Sequence, residues 1–321
     1  MSVLLRPVSG LLMRLGLLAM GCALLGYAGS WHWALDLLSH FRWQYLVAMI
    51  AGLIGASMFR ARTAQLLLLA GLMLNGWSLL GATGSGGQVQ AQTVASDEIK
   101  FLVANIHLDT RDFGPLLRLI DAEAPDVIGI VELSTLAAEA LAVLDRHYPS
   151  HLRLPRDDPF GMAIWARRPD VTLEALSDPD SALPMLSLRA GAADGWRFWL
   201  VHPFPPLGAR GSEWRNRYLQ WLTLQIGTQG SAVVGGDFNA TPWSSAYRDL
   251  RQRSGLADAA EARLPRPTWC PRAWIGCVLG LPIDHLLHGA DWQVAQFEIG
   301  PDIGSDHRPL IVSLRRCSSA P

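Results

Sequence analysis

Three long apolar runs fill the first quarter of the 321-residue chain and constrain its fold more than any other feature. They cover residues 11–27, 43–59 and 64–81, and each is close to the ~17 residues that a helix needs to cross a bilayer. A buried helical hairpin is the alternative interpretation, but the runs lack the polar face of a soluble helix. A signal peptide would explain only the first run, and no convincing small-residue cleavage site follows it. The sequence therefore predicts an all-α transmembrane anchor of about three helices within residues 1–84, in contact with lipid through residues 11–81.

Arginines near the ends of these runs predict the orientation of the anchor. Arg6 and Arg14 lie at or near the start of the first run, and Arg60 and Arg62 lie in the turn between the second and third runs. Positively charged segments tend to remain in the cytoplasm, so three crossings place the C-terminal domain outside it. The connector 29–43 then lies outside too, either as a short helix in the membrane interface or as a loop with aromatic anchors.

The composition changes after the anchor. Residues 85–96 belong to a stretch rich in Gly, Ser, Thr and Gln, which is typical of a flexible linker and separates the anchor from a second domain, residues 97–321. Beyond residue 84 the chain carries 22 basic and 27 acidic residues, a formal charge of −5. An acidic domain with a single lysine, Lys100, is a poor partner for a long nucleic acid unless it forms a local basic cleft.

The second domain shows alternating strand and helix patterns. Short apolar runs at residues 99–105, 126–132, 161–167, 196–202, 232–236 and 309–314 predict strands, and the intervening residues 113–124, 135–147, 212–226 and 244–254 have helical spacing. Strands interleaved with helices predict an α/β domain with buried sheets.

Polar side chains recur where these strands end. The candidates are Asn105, Glu132, His202, Asp237, Asn239, Asp284 with His285, and Asp306 with His307. Each of them singly has a structural explanation, such as a turn residue or a helix start. Together they predict a site on one rim of the sheets, where α/β proteins place ligands. His107, His147, His151 and His288 lack this context and are interpreted as structural.

The chemistry of the candidates is coherent. Glu132 and Asp306 offer the oxygen ligands that Mg²⁺ or Mn²⁺ prefers. Asp237 is suited to orient or deprotonate a water molecule, and the Asn239 amide is suited to donate to a phosphate oxygen. A histidine beside an aspartate acts as a general base or binds a phosphate oxygen. Metal-assisted hydrolysis of a phosphoester uses all of these groups.

Residues 97–316 resemble the endonuclease/exonuclease/phosphatase superfamily, which has the DNase I-like fold. The resemblance is carried, in the family's order, by VANI (103–106), PDVIGIVE (125–132), GMAIWARRP (161–169), WLVHP (199–203), VVGGDFNATPWS (233–244), PIDHLL (282–287) and SDHRPL (305–310). It implies a four-layer α/β sandwich with two packed central sheets. The stretch HPFPPLGARGSEWRNR (202–217) is similar to a membrane-anchored bacterial branch, which implies the bacterial inner membrane as the location.

The resemblance also implies roles for individual residues. Glu132 would bind the divalent metal with Asn105 beside it, and Asp306 would support the metal or His307. The catalytic group would comprise His202, Asp237, Asn239, Asp284 and His307. In that group Asp284 would orient a histidine, and His307 would be the general base or the phosphate contact. The pairing of aspartates with histidines differs between branches of the superfamily and stays open here.

Two further features of the domain have alternative explanations. Arg210, Arg215 and Arg217 would line an anionic substrate pocket or, somewhat better supported, form a solvated helix face. Cys270 and Cys277 are expected to form a disulfide outside the cytoplasm, in a tryptophan-bearing loop that would shape the pocket or touch the bilayer.

The sequence leaves three hypotheses for function. The first is a metal-dependent phosphoesterase acting on a lipid or another envelope phosphoester. The second is an endo- or exonuclease acting on DNA or RNA outside the cytoplasm, which the acidic domain disfavours. The third is a non-catalytic binding domain, whose signature would be a missing acid or histidine at a strand end, and none is missing.

Overall fold

The computed structural model describes residues 5–81, 98–191, 195–227, 230–261, 263–271 and 276–317. The helices are α1 (Leu5–Leu25), α2 (Trp33–Ser39), α3 (Arg42–Met58), α4 (Arg62–Gly81), α5 (Gly114–Glu123), α6 (Thr135–Ala140), α7 (Gly208–Ile226) and α8 (Ser245–Ser254), with 3-10 turns at Gly26–Ala28, Leu141–Arg146 and Gly276–Leu279. The strands are β1 (Glu98–Asn105), β2 (Val127–Val131), β3 (Ser150–Leu154), β4 (Met162–Ala166), β5 (Val171–Ser177), β6 (Pro184–Ala190), β7 (Trp196–Val201), β8 (Ala232–Asp237), β9 (Ala257–Asp258), β10 (Asp284–His288), β11 (Trp292–Ile299) and β12 (Leu310–Arg316).

The described strands form two six-stranded sheets. The first has the order β11-β12-β1-β2-β4-β3, and the second has the order β5-β6-β7-β8-β10-β9. In each sheet the pairing is antiparallel except for one parallel pair near the middle, β1 with β2 and β7 with β8. The carboxyl ends of these four strands therefore reach the same edge of the domain, which is where the site residues lie.

The two sheets pack face to face, with helices covering their outer faces. Apolar side chains from both sheets share one core, including Phe101, Val103, Phe198 and Leu200. A second core lies beneath α5 and α6 on the first sheet, and a third beneath α7 and α8 on the second. These layers confirm the predicted four-layer α/β sandwich.

The elements that the sequence did not predict are mostly irregular or weakly apolar. The strands β3, β5, β6 and β9–β11 are additional to the predicted ones. Only Val171, Leu173 and Leu176 of β5 are even partly buried, and its sequence VTLEALS has no continuous apolar run. The helix predicted over 135–147 is split, because the chain tightens into a 3-10 turn from Leu141 onward.

Residues 5–81 form the helical region that the sequence predicts to be an anchor, and it is called the anchor below. Two helical segments are long and apolar enough to cross a membrane, Arg6–Ala28 and Arg62–Gly81. A third candidate span is the bent pair of helices Trp33–Ser39 and Arg42–Met58, if the two halves, which meet at 68°, are counted as one span. The connector after α1 contains the short helix α2, while its place in a membrane interface stays a prediction. The predicted linker 85–96 lies outside the described residues.

The sandwich contacts one end of the anchor. Trp43 at the start of α3 donates its indole N–H to the Pro265 carbonyl, at 2.8 Å. The Trp243 indole N–H donates to the carbonyl of Ser78, near the end of α4, at 3.2 Å. Arg60, by contrast, lies in the turn after α3, at the opposite end of that helix. The arginine-rich ends of the anchor and its docked end are therefore on opposite sides.

Close helix packing in the anchor depends on glycine. A Cβ on Gly52 of α3 would lie 2.7 Å from the Cα of Gly16 in α1, and a Cβ on Gly55 would lie 2.4 Å from the Ser9 carbonyl oxygen. In lipid, where hydrophobic attraction between helices is absent, such small-residue contacts allow the backbones to approach and pack.

Gly52→Leu is therefore expected to lower the thermal midpoint of the detergent-solubilised full-length protein, because overpacking a close contact costs about 1–3 kcal/mol. Gly76→Leu in α4 is the matched control, since no described atom lies within 4 Å of a Cβ at that position. Equal midpoints for the two variants would contradict the role assigned to the α1–α3 contact.

Candidate active site

The site is assembled where the four parallel strands end. Asn105 is the last residue of β1, Glu132 follows β2, His202 follows β7 and Asp237 ends β8. The Asn105 side-chain amide joins the two sheets, because its Nδ2 donates to Glu132 Oε1 at 2.8 Å and to Asp237 Oδ2 at 3.2 Å.

Glu132 is held in a fixed orientation. Its Oε2 accepts the backbone N–H of Leu108 at 2.8 Å, while Oε1 accepts from Asn105. Its backbone has φ of +60°, a left-handed conformation that non-glycine residues rarely adopt. Such backbone strain persists only where the surroundings fix it, and it concentrates at functional sites.

Asp237 is the most enclosed acid of the group, with only 2% of its surface exposed. Its Oδ1 accepts the Asn239 backbone N–H at 2.8 Å. Its Oδ2 faces the Nε2 atoms of His202 and His307, at 3.6 and 3.7 Å. Burial raises the pKa of Asp237 to about 6 and the Asp284 carboxylate adds to the rise, whereas His307 and His202 oppose it.

His307 is paired with Asp284. The distance between His307 Nδ1 and Asp284 Oδ2 is 2.9 Å, and both side chains are buried. Burial by itself would lower the pKa of His307, but the carboxylates of Asp284 and Asp237 outweigh it and raise the pKa to about 10. This settles the open pairing in the structure: the motifs PIDH and SDH each supply one member of the pair.

His285, the other histidine of the motif, is turned away from the site. Its Nδ1 lies 2.9 Å from Asp258 Oδ2 and its Nε2 lies 2.9 Å from the Ala240 carbonyl oxygen. Both ring nitrogens are thus occupied in a buried setting. His285 supports the chain that follows Asn239 rather than facing Asp237.

His202 and Asp306 each have one buried polar atom without a hydrogen-bond partner among the described residues. These atoms are His202 Nδ1 and Asp306 Oδ1. Asp306 Oδ2 accepts the Trp269 indole N–H at 3.0 Å, and the His202 ring packs against Phe160 with 5.5 Å between ring centroids. Free atoms of this kind at a site mark where a ligand or water would bind.

The donor set fits a hard divalent cation. Ligand atoms of Asp237, Asp284 and His307 lie within 4.8 Å of one another, and Glu132 is joined to Asp237 through Asn105. Carboxylate oxygens dominate, as Mg²⁺ and Mn²⁺ require. Asn105 directs its Nδ2 toward the carboxylates, and its Oδ1 already accepts the His107 N–H. The predicted roles of Asn105 and Asp306 beside a metal therefore stay predictions.

Other parts of the site were not visible in the sequence. Thr268 Oγ1 accepts the backbone N–H of Asp284 at 3.1 Å, and the Cys270 N–H donates to the Asp306 carbonyl. Cys270 and Cys277 form the predicted disulfide, which covalently holds Cys270 where its N–H contacts the residue before His307.

The two glycines before Asp237 allow close packing of β8 against its neighbours. A Cβ on Gly236 would lie 2.0 Å from the Val201 carbonyl oxygen, and one on Gly235 would lie 2.9 Å from a Val103 methyl group. They permit the close pairing of β8 with β7 and of one sheet with the other. Phe238 is fully buried beneath α8.

The prediction for the three arginines of residues 210–217 was wrong at Arg215. Arg215 is fully buried and forms an ion pair of 2.7 Å with Asp36 of α2, so it neither lines a substrate pocket nor lies on a solvated face. Arg217 is half exposed and pairs with Glu213, which fits the solvated face.

Comparison with known proteins agrees with this geometry. Residues 102–307 match the model of the Endonuclease/Exonuclease/phosphatase family, and the chain belongs to this family of metal-dependent phosphoester hydrolases. A search of curated proteins found no match.

Solved structures show the same fold. D. rerio TDP2 complexed with single strand DNA product is 17% identical with a TM-score of 0.56, covering 68% of this chain and 99% of that one. The human Nocturnin catalytic domain with bound sulfate anion is 18% identical with a TM-score of 0.53, covering 68% and 94%. A Bacteroides thetaiotaomicron family protein is 16% identical with a TM-score of 0.53, covering 69% and 98%.

Asp284→Asn is expected to lower the pKa of His307, because the variant removes the largest of the charges that raise it. The measurement is a histidine NMR titration of the metal-free full-length protein. Asp258→Asn is the matched control, since Asp258 pairs with His285 instead. A His307 pKa that moved equally in both variants would contradict the assigned pairing.

Proposed function

We propose that the protein is a membrane-anchored, divalent-metal-dependent phosphoesterase that hydrolyses a lipid or another envelope phosphoester. The observation that carries the proposal is the buried Asp237 carboxylate, which faces two histidines and is tied through Asn105 to Glu132. Membership of the family supports the reaction class.

The raised pKa values divide the acid and base tasks. Asp237, with a pKa of about 6, is ionised at neutral pH. Its pKa is close enough to neutral pH for the carboxylate to accept a proton from water. His307, with a pKa of about 10, is protonated at neutral pH, so it donates a hydrogen bond to a phosphate oxygen rather than removing a proton. Of the two roles left open for His307, the phosphate contact is therefore the one we propose.

The remaining polar groups orient the substrate. His202 faces Asp237 Oδ2 from the second sheet and contacts the phosphate. One N–H of the Asn239 amide donates to the Pro203 carbonyl at 3.0 Å, leaving the other to stabilise phosphate charge. Glu132 would hold the metal, with Asn105 and Asp306 beside it. A bound Mg²⁺ or Mn²⁺ would supply Lewis-acid stabilisation of the phosphoryl oxygens.

The position of the anchor favours a substrate at the membrane surface. Three segments next to the site contact the anchor directly: the chain after Asn239 through Trp243, the loop before Asp284 through Pro265, and α7 through Arg215. A site tethered in this way has a high effective concentration of bilayer-borne substrate.

A nuclease is the second candidate. D. rerio TDP2 is seen with a single strand DNA product, and its fold is similar to that of this chain. The charge of −5 beyond residue 84 and the single lysine disfavour binding to a long polyanion. A non-catalytic domain is disfavoured because each acid and histidine of the predicted group is present at the site.

Asp237→Asn and His307→Ala are each expected to lower kcat by about 10³-fold, since each removes a group that acts on the reacting atoms. The assay uses full-length protein in detergent micelles with Mg²⁺ or Mn²⁺ and small phosphomonoesters and phosphodiesters. His288→Asn is the matched control, because His288 is a buried histidine at the other end of β10 from Asp284 and its Nδ1 lies 3.0 Å from the Gly289 carbonyl oxygen. Identical rates for wild type and both variants would disprove the enzyme hypothesis.

The substrate class has its own test. With the full-length protein in vesicles, kcat/KM for a lipid phosphoester in the same bilayer is expected to exceed that for plasmid DNA by roughly tenfold or more, through effective concentration alone. Cleavage of DNA with no hydrolysis of any lipid phosphoester would replace the first candidate with the second.

The orientation is tested in bacterial cells whose outer membrane has been permeabilised. External protease is expected to digest a C-terminal tag while the inner membrane is intact, because the docked end of the anchor is opposite its arginine-rich end. Protection of the tag until the inner membrane is broken would place the domain in the cytoplasm instead.

A further inference from the structure

A carboxylate of the anchor enters the interior of the catalytic sandwich. Asp36 lies in α2 between two helices of the anchor, and only 3% of its surface is exposed. Its Oδ2 accepts from the Arg215 guanidinium at 2.7 Å and from Ser244 Oγ at 3.0 Å, and its Oδ1 accepts the Ser245 backbone N–H at 2.6 Å. All three donors belong to the sandwich.

These contacts make Asp36 a cap for α8. Ser245 is the first residue of that helix, and the N-cap residue Ser244 makes no side-chain hydrogen bond to the helix itself. The N-terminal N–H groups of a helix need acceptors and favour a negative charge. The anchor supplies both through one side chain that is distant in the sequence.

Arg215 extends the contact to the active site. Its guanidinium is fully buried and donates to the Asn239 carbonyl at 3.3 Å, besides its bonds to Asp36 and Asn216. Asn239 has φ of +48°, and its backbone N–H donates to Asp237. Removing the counter-ion of a buried guanidinium leaves an uncompensated charge, which strongly destabilises the local structure.

The segment 239–245 is therefore held between the two parts of the protein. The sandwich holds it through the His285 contact to the Ala240 carbonyl. The anchor holds it through Asp36 at Ser244 and Ser245, and through Ser78, which accepts from Trp243. Its position beside Asp237 depends on both sets of contacts.

We propose that Asp36 of the anchor is a positioning residue of the active site, which acts through Arg215 and the start of α8 to place Asn239 and the segment 239–245 for phosphoester hydrolysis. The inference rests on the proposed function and adds that the anchor contributes to the rate of phosphoester hydrolysis. An error of about 1 Å in such positioning can cost about 10²-fold in rate.

The test uses full-length protein in detergent micelles with a soluble phosphodiester and Mg²⁺. Asp36→Asn preserves the size of the side chain and an acceptor for Ser245 but removes the charge. We expect kcat to fall roughly 10- to 100-fold with KM changed by less than about threefold, as for an interaction that serves the transition state. Asp180→Asn is the control, because Asp180 forms an exposed ion pair with Arg217, which lies on α7 as Arg215 does.

A double-mutant cycle tests the route through Arg215. Because Asp36 acts through both Arg215 and the start of α8, the double variant Asp36→Asn, Arg215→Met is expected to lose less kcat than the product of the two single losses. Losses that multiply would show that the two residues act independently and would overturn the proposed route.

Hydrogen exchange gives a measurement that does not depend on activity. In Asp36→Asn the amides of residues 239–248 are expected to exchange faster, while those of β10 stay protected. Faster exchange throughout the sandwich would show a general loss of stability and overturn a positioning role. If Asp36→Asn does not fold, Ser244→Ala removes one of the three contacts and is expected to lower kcat about threefold with the same local change in exchange.

The outcomes separate the two proposals. If the wild type hydrolyses no phosphoester, the proposed function fails, and unchanged exchange at 239–248 in Asp36→Asn would overturn the positioning role independently. If the wild type is active and folded Asp36→Asn has an unchanged kcat, the positioning role fails while the proposed function stands.

Discussion

The close packing of the two sheets is the constraint on which the site depends. Gly235 leaves no room for a side chain between β8 and Val103 of the opposite sheet, and Gly129 is similarly close to Leu200. Because the parallel pairs β1–β2 and β7–β8 lie near the middle of their sheets, this packing brings four strand ends together. Asn105 can then reach both Glu132 and Asp237 with a single amide group. A wider separation of the sheets would break that bridge before it affected either sheet.

Burial of charge at this edge is what gives the residues different chemical tasks. Asp237 and Asp284 are both acids of buried strands, yet Asp284 has a direct partner in His307 Nδ1 at 2.9 Å, whereas Asp237 faces two Nε2 atoms at 3.6 and 3.7 Å. Burial raises the pKa of Asp237, whereas at His307 the nearby carboxylates outweigh the effect of burial and raise the pKa of the histidine. A deprotonated Asp237 and a protonated His307 therefore coexist near neutral pH.

The sequence predicted the fold and the residues that meet at this edge better than it predicted the contacts between those residues. Strand-end positions and local motifs identified Glu132, His202, Asp237 and His307, since strand direction alone brings such residues to one edge. The pairing of Asp284 was harder because His285 stands next to it. In a strand, adjacent side chains point to opposite faces, so Asp284 and His285 cannot serve the same site. The alternation within β10 contained this information, but it was informative only once β10 was known to be a strand.

The ion pair between Asp36 and Arg215 was beyond the reach of sequence reasoning, because 179 positions separate the two residues and each has an ordinary local explanation. An aspartate in a short amphipathic connector suggests a solvated face, and so does an arginine on a helix of mixed polarity. Only tertiary packing places them together, and burial then changes how much the ion pair matters for stability. An exposed pair such as Arg217 with Glu213 contributes little to stability, whereas loss of one partner of a buried pair leaves an uncompensated charge. Contacts of Asp36 and Trp43 therefore cross the predicted boundary between the anchor and the second domain, which a composition change placed near residue 85. A fragment that begins after the linker would contain every residue of the candidate site and lack the carboxylate of Asp36 that neutralises Arg215.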